Sequence, residues 1–290
     1  MKRISGYDWI IYIVIALFSV CCLLPMLLVV MVSFTDEMSI MRNGYQLWPS
    51  AFSISAYETM FRNGTALVRS YGVSITITVV GTLGGIIITS MAGYALANKQ
   101  LYGKNALSFY FFFTMMFSGG LVPWYIICGK LGLQNNLGAL IVPNLLFNCF
   151  NMFLVRNFMA QLPEALRESA KIDGANEYRI AFQIYFPLAT PVIATIALFI
   201  AIAYWNDWWN AIMLVDNDKL FPLQYYLFKL QSDLAMLEQL QNMGVSSTVK
   251  PPSESVKMAT VVVTVGPIIL MYPFLQRYFV KGLIIGSVKG

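Results

Sequence analysis

The placement of charge constrains this chain more than any other feature. Six stretches, at 9–35, 70–98, 105–129, 131–155, 180–206 and 258–276, contain no Asp, Glu, Lys or Arg. A helix needs about 20 apolar residues to cross the hydrocarbon core of a bilayer, and each stretch meets that need. Together they take more than half of the 290 residues, which leaves no room for a sizeable soluble domain. Lipid offers the backbone no hydrogen-bond partner, so such spans must be helical. The expectation is an all-α integral membrane protein with six transmembrane helices, over about 9–33, 70–97, 106–128, 137–155, 183–206 and 258–280, forming a single domain over 1–290.

The loops orient those spans. With both termini and alternate loops assigned to the cytoplasm, that side holds eleven of the nineteen Lys and Arg in the shorter total length, while the other side holds nine of the fourteen Asp and Glu. Basic residues gather in short cytoplasmic loops, so both termini are expected inside. This topology also accounts for the net charge of +5 without nucleic acid, for which no basic run or motif is present. Lys2 and Arg3 precede an apolar run far longer than a signal-peptide core, so the first span reads as an uncleaved helix.

Composition removes several chemistries. There is no histidine, which excludes a Ser-His-Asp triad, His-based acid-base catalysis and a His-ligated metal. Cys21, Cys22, Cys128 and Cys149 lie in apolar stretches without CxxC spacing and read as packing residues. No GxxxxGK[ST] phosphate loop occurs, so any ATP hydrolysis belongs to another polypeptide. No ionisable residue lies deep within a span and no repeat relates the two halves, features that disfavour a proton-driven carrier. No metal site is expected.

Three features inside the spans bear on function. Gly81, Gly85, Thr89, Gly93 and Ala97 recur every fourth residue, a small-residue stripe that lets helices approach closely; it reads as a packing face, with a face that rearranges during a cycle as the alternative. Pro25, Pro123, Pro143, Pro187, Pro191, Pro267 and Pro273 sit in or beside spans, where freed carbonyls must find other partners. Asn148 and Asn151 lie in the fourth span, where an unpaired amide is costly. Each is a candidate for a wet translocation route or for an inter-helix hydrogen bond.

The cytoplasmic loop over 156–187 is the most specific segment. From Leu162 it reads LPEALRESAKIDGANEYRIAFQIYFPL. Pro163 and Glu164 suit a helix start, Asp173 and Gly174 a helix stop, and a second short helix can follow from Ala175. Ala165, Ser169 and Ala170 keep one side of the first helix slim. A short helix-turn-helix on the membrane face is expected.

This segment resembles the E-A-A, three residues, G, then I-x-x-P pattern of the inner-membrane permeases of binding-protein-dependent ABC importers, at Glu168, Ser169, Ala170, Gly174, Ile184 and Pro187, with the I-D-G-A of the sugar branch at Ile172, Asp173, Gly174 and Ala175. Ser169 departs from the first alanine but remains small. Phe117-Ser118-Gly119-Gly120-Leu121-Val122-Pro123, Tyr272-Pro273-Phe274-Leu275-Gln276 and the closing Gly286-Ser287-Val288-Lys289-Gly290 are similar to the oligosaccharide subgroup of the maltose-importer type. The resemblance covers nearly the whole chain and implies the MetI-like ABC importer permease fold.

It also implies a function: a permease subunit in the bacterial cytoplasmic membrane that translocates a carbohydrate, an oligosaccharide in this subgroup. It carries no catalytic residue of its own. A peptide or amino-acid permease is the alternative within the class, and a channel or scaffold subunit the alternative outside it. The implied partners are a second homologous permease in a heterodimer, two ATPase subunits that bind ATP and Mg, and an extracytoplasmic sugar-binding protein. In that family the segment containing Glu164 to Pro187 is the coupling helix docked on the ATPase. The large external loop, 207–257, resembles the one that reaches toward the binding protein. Its Trp208, Trp209, Tyr225 and Tyr226 are candidates for sugar stacking, with an interfacial aromatic belt as the other reading. The tail Gly286, Ser287, Val288, Lys289 and Gly290 is a candidate for reaching between the ATPase subunits, or for an anchor at the headgroups.

Overall fold

The computed structural model describes residues 6–62, 64–243, 254–267 and 269. Among them the chain is helical, with one isolated bridge, Thr35 to Phe52, as its only extended pairing. In order the helices are α1 (Gly6–Ser33), α2 (Glu37–Asn43), α3 (Ser55–Phe61), α4 (Gly64–Ala97), α5 (Lys104–Met116), α6 (Leu121–Lys130), α7 (Leu137–Ile141) and α8 (Cys149–Met159). There follow α9 (Ala165–Ile172), α10 (Glu177–Ile180), a π-helical turn Ala181–Tyr185, α11 (Phe186–Leu188), α12 (Thr190–Trp205), α13 (Trp209–Leu214) and α14 (Leu223–Asn242). A last helical stretch covers 254–267.

Among the described residues two helices, α1 and α4, are long and apolar enough by themselves to cross a membrane. Two bent pairs would raise the number to four if each is one span: α5 with α6, bent by 114°, and Glu177–Leu188 with α12, bent by 84°. The expected continuous helices over 106–128, 137–155 and 183–206 are therefore all interrupted, each for a local reason. Between α5 and α6, Gly120 stands at φ +87, a conformation glycine adopts without the usual side-chain penalty, and Pro123 follows in the first turn of α6. Between α7 and α8, Pro143 lacks an N–H and Asn144 takes φ +64. Ahead of α12, the π turn precedes Pro187, and Pro191 opens the new helix. The interval 207–257, expected as a loop, is largely helical where it is described.

The chain divides into two compact units. The first joins the described residues before Val68 to those of 227–270. Here Glu37 caps the helix at 254–267: its carboxylate accepts from the Glu254 and Ser255 amides, both at 3.1 Å, and from the Ser255 hydroxyl at 2.8 Å. Phe34 stacks on Phe52 and tilts against Tyr57. The most apolar 18-residue stretch of α1 holds no buried residue, whereas Val32 and Ser33 at its end are buried.

The second unit, centred on 68–226, carries the small-residue stripe. A Cβ on Gly81 would fall 2.2 Å from the Tyr204 ring, one on Gly85 3.2 Å from Ile200, and one on Gly93 2.7 Å from Val155. Thr89 is fully buried, and Ala97 packs against the same core. The stripe is a close contact of α4 with α8 and α12, as the packing reading expects. That core continues through Tyr94, Ile180, Tyr185, Ile196 and Ile200. The four cysteines are free thiols, with Cys128 buried in a second cluster around Ile77, Leu140 and Leu214.

Candidate functional site

The segment after α8 forms the expected helix-turn-helix. Pro163 and Glu164 precede α9 and offer their carbonyls to the Leu166 and Arg167 amides. Gly174 takes φ +78, and the chain stops α9 by a paired closure: the Gly174 N–H donates to the Lys171 carbonyl and the Ala175 N–H to the Ala170 carbonyl, at 3.0 and 2.9 Å. This is the Schellman stop that a left-handed glycine permits. Asn176 then caps α10, its side chain accepting from the Arg179 amide at 2.8 Å.

Glu168, Ser169, Ile172, Asp173 and Gly174 face outward, Ile172 with 86% of its surface exposed. Glu164, Ala175 and Ile184 are half-buried, and Pro187 is exposed. Ala170 turns the other way. It is buried against the core of its own chain, so its small size serves packing of α9 rather than an outward face.

Beneath α9 lies a charged cluster that pattern reading does not single out. Arg167 is only 6% exposed. Its guanidinium donates to the Glu177 carboxylate at 2.7 Å and to the Asn98 side-chain oxygen. Glu177 also accepts from the Tyr94 hydroxyl at 2.7 Å and pairs with Lys171 at 3.1 Å. Burial opposes the charge on Glu177, yet the hydrogen bonds from Arg167, Tyr94 and Lys171 outweigh it and hold its pKa at about 2. Nearby, Lys99 meets Glu164 at 2.9 Å and lowers that carboxyl too.

A second constellation surrounds the break between α7 and α8. Asn148 caps α8, its side chain accepting from the Asn151 amide at 3.1 Å. Asn148 and Asn151 line one cavity of about 420 Å³ with Asn144, Phe150, Phe199 and Ile200. The structure thus brings both predicted asparagines together and adds Asn144, which was not singled out in the sequence. Its signal would have been the Pro-Asn pair, a turn-forming dipeptide when a helix breaks there. The carbonyls freed by the break are satisfied from neighbouring helices. Tyr204 donates to the Ile141 carbonyl at 2.7 Å and Asn210 to the Pro143 carbonyl at 3.1 Å.

Of the aromatic candidates, Trp208 and Trp209 stand at the start of α13 and Tyr225 and Tyr226 in α14. Trp208 and Trp209 meet edge to face, with ring centroids 5.8 Å apart, and both are exposed. Tyr225 sits edge-on to Phe221, and Tyr225 and Tyr226 pack half-buried on the cluster around Leu214. Asp207 accepts from the Trp209 and Asn210 amides, and burial raises its pKa. The tail candidates Gly286 to Gly290 and the 272–276 motif lie outside the described residues.

Comparison with known proteins decides the family. The chain is 38% identical over 285 residues to the polygalacturonan/rhamnogalacturonan transport system permease protein YtcP of Bacillus subtilis, covering 98% of both. The chain belongs to the permease family of ABC carbohydrate importers. It is 30% identical to the arabinooligosaccharides transport system permease protein AraQ of Halalkalibacterium halodurans, across the full length of both. A crystal structure of a bacterial ABC transporter involved in import of the acidic polysaccharide alginate contains a chain that superposes with a TM-score of 0.81, at 30% identity, over 96% of this permease and 100% of that chain. No protein-family model matches. The all-helical fold with broken spans is therefore that of an ABC importer permease.

Proposed function

We propose that this permease forms half of the translocation route of an ATP-driven importer for an oligosaccharide, in the bacterial cytoplasmic membrane. The observation that carries the reading is the helix-turn-helix of 164–187, exposed along Glu168, Ile172 and Asp173 and stopped by Gly174, in a chain of this family. A short polar element of that form fits a groove on an ATPase subunit, with Ile172 as the apolar anchor and Glu168 and Asp173 as charges beside it. ATP and Mg are bound by that subunit, and this chain supplies no catalytic group.

In this reading the chain spans the membrane six times with both termini inside, pairs with a second, different permease, and receives sugar from an extracytoplasmic binding protein facing 207–257. The cavity supports the route. Its amides offer both donors and acceptors, which match sugar hydroxyls, and Phe150 and Phe199 offer apolar surface to ring faces.

Reconstitution in liposomes with its partner permease, an ATPase subunit and a sugar-binding protein tests this. Uptake of labelled oligosaccharide that requires ATP and the binding protein is expected. Equal uptake without ATPase would mark a passive channel, and transport of peptides instead of sugars would move the substrate class.

A further inference from the structure

The charged cluster under α9 has a geometry that the docking role does not require. An exposed helix could reach a partner subunit from a loose loop, yet here α9, α10 and the end of α4 share one buried guanidinium. Arg167 lies on α9, Glu177 on α10, Tyr94 in the last turn of α4, and Asn98 just past it. The Glu177 carboxylate takes one bond from each of Arg167 and Tyr94, both at 2.7 Å. Tyr94 is pinned in turn, edge-on to Tyr185 in the π turn at 5.1 Å. Exposed ion pairs contribute little, and the Glu177 side chain is 47% exposed, but the Arg167 guanidinium is buried and losing its partner would strand it, so this arrangement resists opening.

We propose that Arg167, Glu177 and Tyr94 form a clasp that makes α9 and α10 move as one body with α4, and that these three are positioning residues for the coupling of ATP hydrolysis to sugar passage. This rests on the transporter reading above. What makes the clasp more than a local fastening is where α4 leads. Along its stripe it contacts Val155 of α8, then Ile200 and Tyr204 of α12. Ile200 lines the asparagine cavity, and Tyr204 holds the Ile141 carbonyl at the break beside it. These are rigid packed helices, the kind of contiguous contact through which displacement is carried. A shift of α9 imposed by an ATPase therefore reaches the cavity wall through α4, whereas an unclasped α9 would keep only the packing of Ala170 and its chain links to α8 and α10.

The test uses the full complex. Glu177→Gln keeps the shape of the side chain and removes its charge, and Tyr94→Phe keeps the ring against Tyr185 and removes one bond. Expected are normal yields of assembled complex and at least a fivefold drop in sugar imported per ATP hydrolysed for Glu177→Gln, a smaller drop for Tyr94→Phe, and partial rescue by Glu177→Asp. Amide exchange over 165–180, measured in the same complexes with no sugar present, should speed up in the first two variants. An unchanged ratio of import to hydrolysis overturns the proposal, as does a loss of import that merely tracks lost assembly. Should the unmodified complex import no oligosaccharide, the transporter reading fails, and the exchange measurement still decides whether the clasp exists.

Discussion

The turn after α9 and the break between α7 and α8 both interrupt helices, but different chemistry holds each. At 164–180 the fastening is ionic: Arg167, Lys171, Glu177, Lys99 and Glu164 form pairs at 2.7 to 3.1 Å. At 142–148 it is neutral, a tyrosine hydroxyl and an asparagine amide donating to backbone carbonyls. In the six-span reading proposed above, the difference follows from surroundings. Water at a membrane face makes charge affordable, whereas a bare charge at depth is expensive and an unpaired carbonyl nearly so. A break at depth is therefore only as stable as the neighbouring helix that supplies its donor.

The largest effect is expected where that neighbour is displaced. Gly81→Val puts a side chain where the Tyr204 ring now lies, and overpacking of this kind costs about 3 kcal/mol. The thermal midpoint of the purified chain should fall sharply, and an unshifted midpoint would detach the stripe from the break. Next is Tyr204→Phe, which leaves the Ile141 carbonyl unpaired at a cost of about 1–3 kcal/mol. It should destabilise the fold without touching α9, and hydrogen exchange should rise around 141–148.

On the charged side, Gly174→Val forces a branched side chain into φ +78. Open space surrounds the position, so the penalty is the backbone's own, about 1–2 kcal/mol. Membrane insertion should survive while uptake falls and hydrolysis loses its response to the binding protein; normal coupled transport would remove the assigned role. Replacing Asn148 and Asn151 together by Leu should slow uptake severalfold with assembly intact, and wild-type kinetics would leave them as a helix cap and packing.

The smallest effect concerns pH. A carboxyl whose folded pKa lies below its ordinary 4.5 stabilises fully above that value and loses the contribution as pH falls toward the folded value of about 2. The clasp should thus be insensitive to pH between 5 and 8. Difference infrared spectra of wild type against Glu177→Gln should retain the carboxylate band at pH 3.5, and its disappearance near 4.5 would mean that Arg167 does not hold it.

Much of this was legible in the residue order. Charge-free stretches announce helices in lipid because the backbone there has no other option, and the run Asp173-Gly174 announces the stop of α9 because glycine tolerates the left-handed turn. The stripe from Gly81 to Ala97 was readable as a contact, since small residues at helical spacing have few other uses.

Proximity across long separations was not legible. Ala170 is as slim as Ser169, and only the packing of α9 decided that one faces the core and the other faces out. Gly119 and Gly120, Pro143, and Pro187 with Pro191 mark places where a helix can break, but hydropathy counts only apolar length and reads straight through them. Whether a break forms depends on a donor arriving from elsewhere, here Tyr204 from 63 residues away. The same holds for Arg167, which a sequence shows only as one more cytoplasmic positive charge. Its burial against Tyr94 and Glu177 exists because α4, α9 and α10 converge, and convergence of distant segments is what tertiary structure alone determines.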